Sequence, residues 1–347
     1  MTDSSTRTEA RTTRLGWAAL VTGIVSVVVA AAVGATVGAA GLDVSGVARA
    51  MVDALPGVSV DAGLSEVETS ILFEIRLPRV VLGAMVGAVL AVAGASYQGV
   101  FRNALADPYL LGVAAGAGLG ATVAIAVTES PALLAPFAFV GGMAAVGITY
   151  ALGRSVGGRS ATSLILAGVA VAAFATAIQA YLLQRESDTL REVYVWILGR
   201  LVTAGWREVW QLLPYALVAT AVMFGSRRLL DVLSIGDDEA GALGVDVGRV
   251  RAVVVIAATL ATAAAVSVSG LIGFVGIIVP HTVRLLFGWS YRSIVPLSML
   301  FGAAFLMMAD VAARTLVSPA ELPIGVVTAF FGAPFFLLVL RTMRGPT

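Results

Sequence analysis

The sequence predicts an all-α membrane protein that crosses a lipid bilayer about ten times, with both termini cytoplasmic. Three observations carry that prediction. Hydrophobic residues fill 59% of the 347 positions and charged residues only 12%, and the mean hydropathy of +0.96 lies outside the range of soluble globular domains. Apolar runs long enough to span, at about 20 residues per crossing, recur from Leu15 to Arg341. The runs are also continuous, whereas a membrane β-barrel needs short alternating segments.

In chain order, residues 1–14 read as a polar cytoplasmic arm and residues 15–347 as one transmembrane domain. The first run, 15–40, is too long for the apolar part of a signal peptide and lacks a cleavage site, so it is read as a retained helix. An external segment, 41–77, follows. Its stretch "LSEVETSILFEIRL" repeats apolar residues at three and four, as an interfacial helix would, although a solvated loop is equally compatible.

Further spans are predicted at 78–101, 108–127, 133–153, 161–183 and 207–225. The pairs Gly34/Gly38, Gly83/Gly87, Gly112/Gly116 and Gly116/Gly120 lie one turn apart and predict close helix packing. "GAGLGA", Gly116 to Ala121, mimics a dinucleotide fingerprint, but no strand precedes it, so it is read as packing. The last four spans are 250–268, 271–287, 293–313 and 323–341. The stretches "LAVAGASYQGVFRN" and "VSVSGLIGFVGIIVPHTVR" share a small-residue start and a basic end, as an internal repeat would.

An even number of spans puts both termini on one side, with Arg7, Arg11, Arg14, Arg102, Arg154, Arg159, Arg227, Arg228, Arg249, Arg251, Arg341 and Arg344. The arginine bias marks that side as cytoplasmic. The opposite side collects acids, among them Asp43, Asp53, Asp61, Glu66, Glu68, Glu74, Glu186, Asp188, Glu192 and Glu208.

Composition excludes several chemistries. There is no cysteine, hence no disulfide, thiolate nucleophile or zinc–thiolate cluster, and His281 is the sole histidine, so no metal site is expected. All 22 basic residues are arginine, so the lysine of a phosphate-binding Walker A loop is missing. No basic block interleaved with aromatics suggests nucleic acid. No catalytic residue is nominated: the G-x-S-x-G elbow is absent, and His281, after Pro280, is expected to make local hydrogen bonds. An ion-gradient-driven secondary transporter keeps titratable groups inside the membrane, and these spans carry almost none. Asp310 and Arg314, one turn apart, are expected to form a helix-surface ion pair.

The most polar passage of the second half, "SIGDDEAGALGVDVGRVR", lies in a cytoplasmic segment, 226–249. Acids follow Gly236 as in a first helical turn, and Gly244 is placed to stop it, predicting two short helices joined by glycine. Ala240, Leu243 and Val245 supply an apolar stripe, read as a docking surface.

Six motifs, in order, carry a resemblance: "RLPR" from Arg76, "YQGVFRNALADPYLLGVAAGAGLGA" from Tyr97, "WILGRL" from Trp196, "GLIGFVGIIVPHTVRLLFG" from Gly270, "ADVAAR" from Ala309 and "AELPIGVVTAFFGAPFFLLVLR" from Ala320. From Leu72 to Arg341 the chain resembles the permease subunits of type II ABC importers, which carry cobalamin, haem and ferric siderophores. The tail is most similar to cobalamin permeases, so cobalamin or a related corrinoid is the expected cargo, with a ferric siderophore or haem as the alternative.

The resemblance implies a homodimer in the plasma or inner membrane. It also implies two separate ATPase subunits that bind ATP and Mg, and an extracytoplasmic substrate-binding protein. Matched positions assign coupling to the ATPase to Gly236, Asp237, Glu239, Ala240, Leu243, Gly244 and Val245. Docking of binding-protein carboxylates falls to Arg76, Arg79 and Arg314, whose forks suit bidentate bonds. The cytoplasmic gate falls to Asn103, Leu105, Thr162 and Ser163. Two positions depart from the family pattern: Ala104 replaces a proline, predicting a looser turn, and Arg200 replaces a small residue at the outer mouth.

Overall fold

The computed structural model of the chain describes residues 15–38, 41–128, 130–155, 161–185, 190–202 and 204–343. The predicted arm 1–14, Arg159, Glu186, Asp188 and Arg344 lie outside the described residues.

Among the described residues there are α-helices and no strand. In order they are α1 (Trp17–Thr36), α2 (Val44–Asp53), α3 (Glu66–Ser70), α4 (Leu77–Phe101), α5 (Val113–Val127), α6 (Leu134–Ser155) and α7 (Ala161–Arg185). Then follow α8 (Leu190–Ile197), α9 (Trp206–Leu233), α10 (Asp237–Ala242), α11 (Val247–Ser269), α12 (Val275–Phe287), α13 (Tyr291–Thr315) and α14 (Ile324–Met343). Among the described residues, seven stretches are long and apolar enough to cross a membrane: α1, the run Glu66–Phe101, Pro131–Ser155, most of α7, α9, α11 and α13. Val113–Val127, Val275–Phe287 and Ile324–Val339 are shorter apolar helices.

The segment 41–77 is more ordered than a loop. Asp43 caps α2 by accepting from Gly46 N at 2.8 Å, and the Ser45 hydroxyl, then that amide, hold its carboxyl below the usual carboxylate range. Ser65 and Glu68 close a capping box on α3. A six-residue π-helical turn, Ile71–Arg76, then joins α3 to α4. The helix expected at the interface therefore exists, but it stacks end-on beneath the second span, so that helix begins at Glu66 instead of residue 78.

Burial separates centre from periphery. The apolar windows of Glu66–Phe101, α11 and α13 are 78%, 72% and 72% buried, against 28–33% for α1, α6, α7 and α9, so the first three form the centre. Glycine sets how closely they approach. A Cβ on Gly94 of α4 would overlap the Gly276 backbone of α12, and one on Gly87 would overlap the Gly302 carbonyl of α13. Gly116 and Gly120 likewise abut the backbone of α6 at Gly141 and Phe137, so "GAGLGA" is a packing seam.

Gly94→Leu is expected to cost more than the roughly 1–3 kcal/mol usual for overpacking, because the obstruction is backbone. Thermal unfolding in detergent checks this, with Gly225→Leu, which meets open space, expected to be neutral.

The two stretches that suggest an internal repeat differ in local structure. "LAVAGASYQGVFRN" lies in the continuous helix α4 and its C-cap, whereas the other stretch crosses the break at 270–274 between α11 and α12. The two meet face to face at Gly94 and Gly276.

The bundle has two chemically distinct ends. One collects the close of α1, the starts of α4 and α9 and the close of α13, with the acids of α2 and α3. The other collects the close of α4 and α9, all of α10 and the starts of α11 and α13, with Arg102, Arg227, Arg228, Arg249, Arg251 and Arg292.

Candidate functional site

At the arginine-rich end, α10 forms a knob between α9 and α11. Asp237, Asp238 and Glu239 fill its first turn, where the amide ends of the helix favour negative charge. Gly236 (φ +141°) starts it and Gly244 (φ +82°) ends it in left-handed territory open to glycine. Val245 N donates to Ala240 O at 3.1 Å across that stop. Asp246 then caps α11 by accepting from Arg249 N at 2.9 Å.

The second short helix expected in the knob is thus the first turn of α11, and the projecting part is 234–246 rather than 226–249. Helix α9 keeps its hydrogen bonds to Leu233, well past the apolar run that ends near residue 225.

The apolar stripe divides in two. Ala240 is fully buried and seats the knob on the core, while Leu243 is 66% exposed and Ile235 57%. Val245 is half-buried and helps line a groove of about 370 Å³ with Leu229, Asp246 and Arg249. Ala240 is therefore a foundation, not a contact surface. Gly241 and Gly244 leave open space beside Leu243.

Beside the knob lies the turn after α4. The helix ends at Arg102, which takes a left-handed conformation (φ 50°, ψ 37°). Asn103 closes the turn: its amide donates to Gln98 O at 3.1 Å and its side chain accepts from Leu105 N at 2.9 Å. That Asx-type closure supplies the restraint a proline at Ala104 would have given, so the turn is not loose. Half-buried Asp107 accepts from Tyr109 N at 2.7 Å, and burial pushes its carboxyl up to about 6. Thr162 is exposed and Ser163 half-buried at the start of α7.

Two carboxylates knit this end together. Asp237 receives Arg251 at 3.0 Å and Arg102 at 3.5 Å. Asp231, near the close of α9, accepts from Tyr291 N at 2.6 Å and Ser290 Oγ at 2.9 Å, fastening α9 to the start of α13. Neither Arg102 nor Asp231 was singled out by sequence reasoning as a tie. The signal available for Arg102 was its position directly before Asn103.

His281 does not make the expected local hydrogen bond. Its Nδ1 is buried without a partner, and its ring meets Phe335 edge-on at 5.9 Å. Among the described residues no group of three or more His, Asp or Glu could hold a metal ion.

At the opposite end, the three arginines expected to face outward are buried. Arg79 is gripped on two edges: Asp310 accepts from Nε and Nη2 at 3.0 and 2.8 Å, and Glu321 accepts from Nη1 and Nη2 at 3.1 and 2.9 Å. Arg314 Nε sits 3.3 Å from Asp310 and its Nη2 donates to Gly34 O at 2.8 Å. Arg76 donates to Ala35 O and Thr36 O at 2.9 and 2.6 Å. These bonds satisfy orphan carbonyls at the C-terminus of α1, where the helix dipole favours cations. Asp310 and Arg314 are therefore not a surface pair; Asp310 is 3% exposed, because Arg79 arrives from α4.

The six sequence motifs and both ends now stand in one bundle, and the pattern of the FecCD transport family matches residues 24–342 of the chain. The chain belongs to the FecCD transport family. It is 42% identical over 280 residues to the cobalamin import system permease protein BtuC of Halobacterium salinarum, covering 80% of this chain and 75% of that one. It is 41% identical over 281 residues to the hemin transport system permease protein HmuU of Yersinia pestis, covering 78% and 83%. A solved structure of a metal-chelate type ABC transporter in an inward-facing conformation superposes with a TM-score of 0.82 at 29% identity, covering 93% of this chain and 98% of that one. This FecCD protein is a multi-pass membrane protein and an ABC importer permease.

Proposed function

We propose that this FecCD permease is one half of a homodimer whose two copies line a path for a corrinoid, moved inward by two separate ATPase subunits. Those subunits bind ATP and Mg, and an extracytoplasmic binding protein delivers the cargo. The observation that carries the reading is the knob: Leu243 and Ile235 stand exposed on it, in a chain that holds no lysine and so no Walker A loop of its own. An exposed apolar tip on a rigid base is a docking element for a partner that does the hydrolysis. The arginine-rich knob end is cytoplasmic by the positive-inside rule. The three shorter apolar helices cross together with the seven longer stretches, giving ten spans and both termini on that side.

At the other end, a binding-protein carboxylate would reach Arg79 by exchanging with Glu321, the exposed one of its two acid partners. Haem and ferric siderophores are the alternative cargo, because 42% and 41% identity to a cobalamin and a hemin permease do not rank the two ligands. Reconstitution of the permease with its ATPase and binding protein in vesicles, followed by competition among cobalamin, haem and ferric siderophores, tests the reading. Cobalamin is expected to stimulate hydrolysis and accumulate inside; accumulation without ATP, driven by a proton or sodium gradient, overturns it.

A further inference from the structure

The knob and the gate turn belong to elements far apart in the chain, yet one carboxylate joins them. Asp237, in the first turn of α10, is held by Arg251 of α11 at 3.0 Å, and Arg251 is buried. The Oδ1 of Asp237 also meets Arg102 at 3.5 Å. Arg102 is the C-cap of α4 and the residue immediately before Asn103, which the family resemblance assigns to the cytoplasmic gate.

Two features make Arg102 unusual. Its backbone is left-handed, a conformation that glycine or asparagine adopts more readily and that persists at other residues where the surroundings hold it. Its side chain is the one that reaches Asp237. The pair is also roughly half exposed, at 46% and 41%, so solvent screens it and it contributes little to stability. A contact that weak does little to hold the fold, but it lies where displacement of the knob meets the gate turn. The turn itself is stiffened by Asn103 and by Asp107, so a pull at Arg102 moves it as a unit.

We propose that Arg102 is a positioning residue that ties the gate turn to the knob through Asp237, so that motion of the knob is passed to the gate. The proposal rests on the reading of α10 as the ATPase dock and of the Asn103 turn as part of the gate. The chain contains no cysteine, so a single Ala104→Cys reports on the turn, read as labelling by a soluble maleimide in the full complex with and without ATP. No transported ligand has to be identified for this measurement.

ATP is expected to change the labelling rate by about tenfold, within the range for coupled sites. With Arg102→Gln that change is expected to fall below about twofold while ATP hydrolysis continues, and Arg102→Lys is expected to restore most of it. A full nucleotide response in Arg102→Gln, or a failure of Arg102→Lys to restore it, overturns the assignment. An Ala104→Cys protein whose labelling ignores ATP overturns it as well. Leu243→Asp separates the two levels: if that variant keeps the ATP response, the docking reading has failed, whereas loss in Leu243→Asp with retention in Arg102→Gln sinks the Arg102 tie alone.

Discussion

Asp310→Asn is expected to destabilise the protein by about 3–5 kcal/mol, the usual cost of removing one partner of a buried ion pair. The carboxylate is 3% exposed and serves two arginines, Arg79 through a two-bonded edge and Arg314 at 3.3 Å. Asparagine keeps the shape but removes the charge, leaving two buried guanidinium groups beside the single carboxylate of Glu321, which lies at the exposed rim. The expected readout is a lower thermal midpoint and faster loss of monodisperse protein in detergent. Combining Asp310→Leu with Arg79→Met is expected to cost less than Asp310→Leu alone, because the double change removes a buried charge that the single change strands. Equal losses in the two would mean that the arginine is not what Asp310 compensates.

That network also shows where the sequence is legible and where it is not. Hydropathy located all ten apolar runs, and each coincides with a helix; 250–268, for instance, became Val247–Ser269. The boundary error at the close of α9 arose because Arg227 and Arg228 end the apolar run while the backbone ladder continues to Leu233. Helix α8 was missed because its eight residues are too few to span. Spacing placed Asp310 and Arg314 on one face but carried no information that Arg79, from a distant helix, closes over them.

The same limit governs the site. Gly236, Gly244 and the acids between them were readable as a helix start and stop, since each is a local backbone preference. Whether Ala240 or Leu243 faces the core depends on how α10 sits against α9 and α11, which composition does not encode. The link from Arg102 to Asp237 is a tertiary contact of the same kind.

Leu243→Asp is expected to weaken binding of the ATPase subunit by at least about thirtyfold, the effect of losing a hot-spot side chain of about 2 kcal/mol or more. The leucine is 66% exposed on a knob whose first turn holds Asp237, Asp238 and Glu239, so the substitution removes apolar contact and adds a further like charge. ATP-driven import should disappear while the isolated permease keeps its thermal midpoint, because the Leu243 side chain faces solvent and not the core. Titration of the ATPase against permease in detergent measures the first effect and thermal unfolding the second. Ala240→Asp is the informative contrast. That position is fully buried, so a charge there must destabilise the seat of the knob, lowering the midpoint as well as the affinity. If Leu243→Asp lowers the midpoint as much as Ala240→Asp does, the leucine is part of the foundation and the docking surface lies elsewhere on the knob. If the midpoint holds and the affinity falls, the exposed tip and the buried seat are separable, and force from the ATPase enters the bundle through α10.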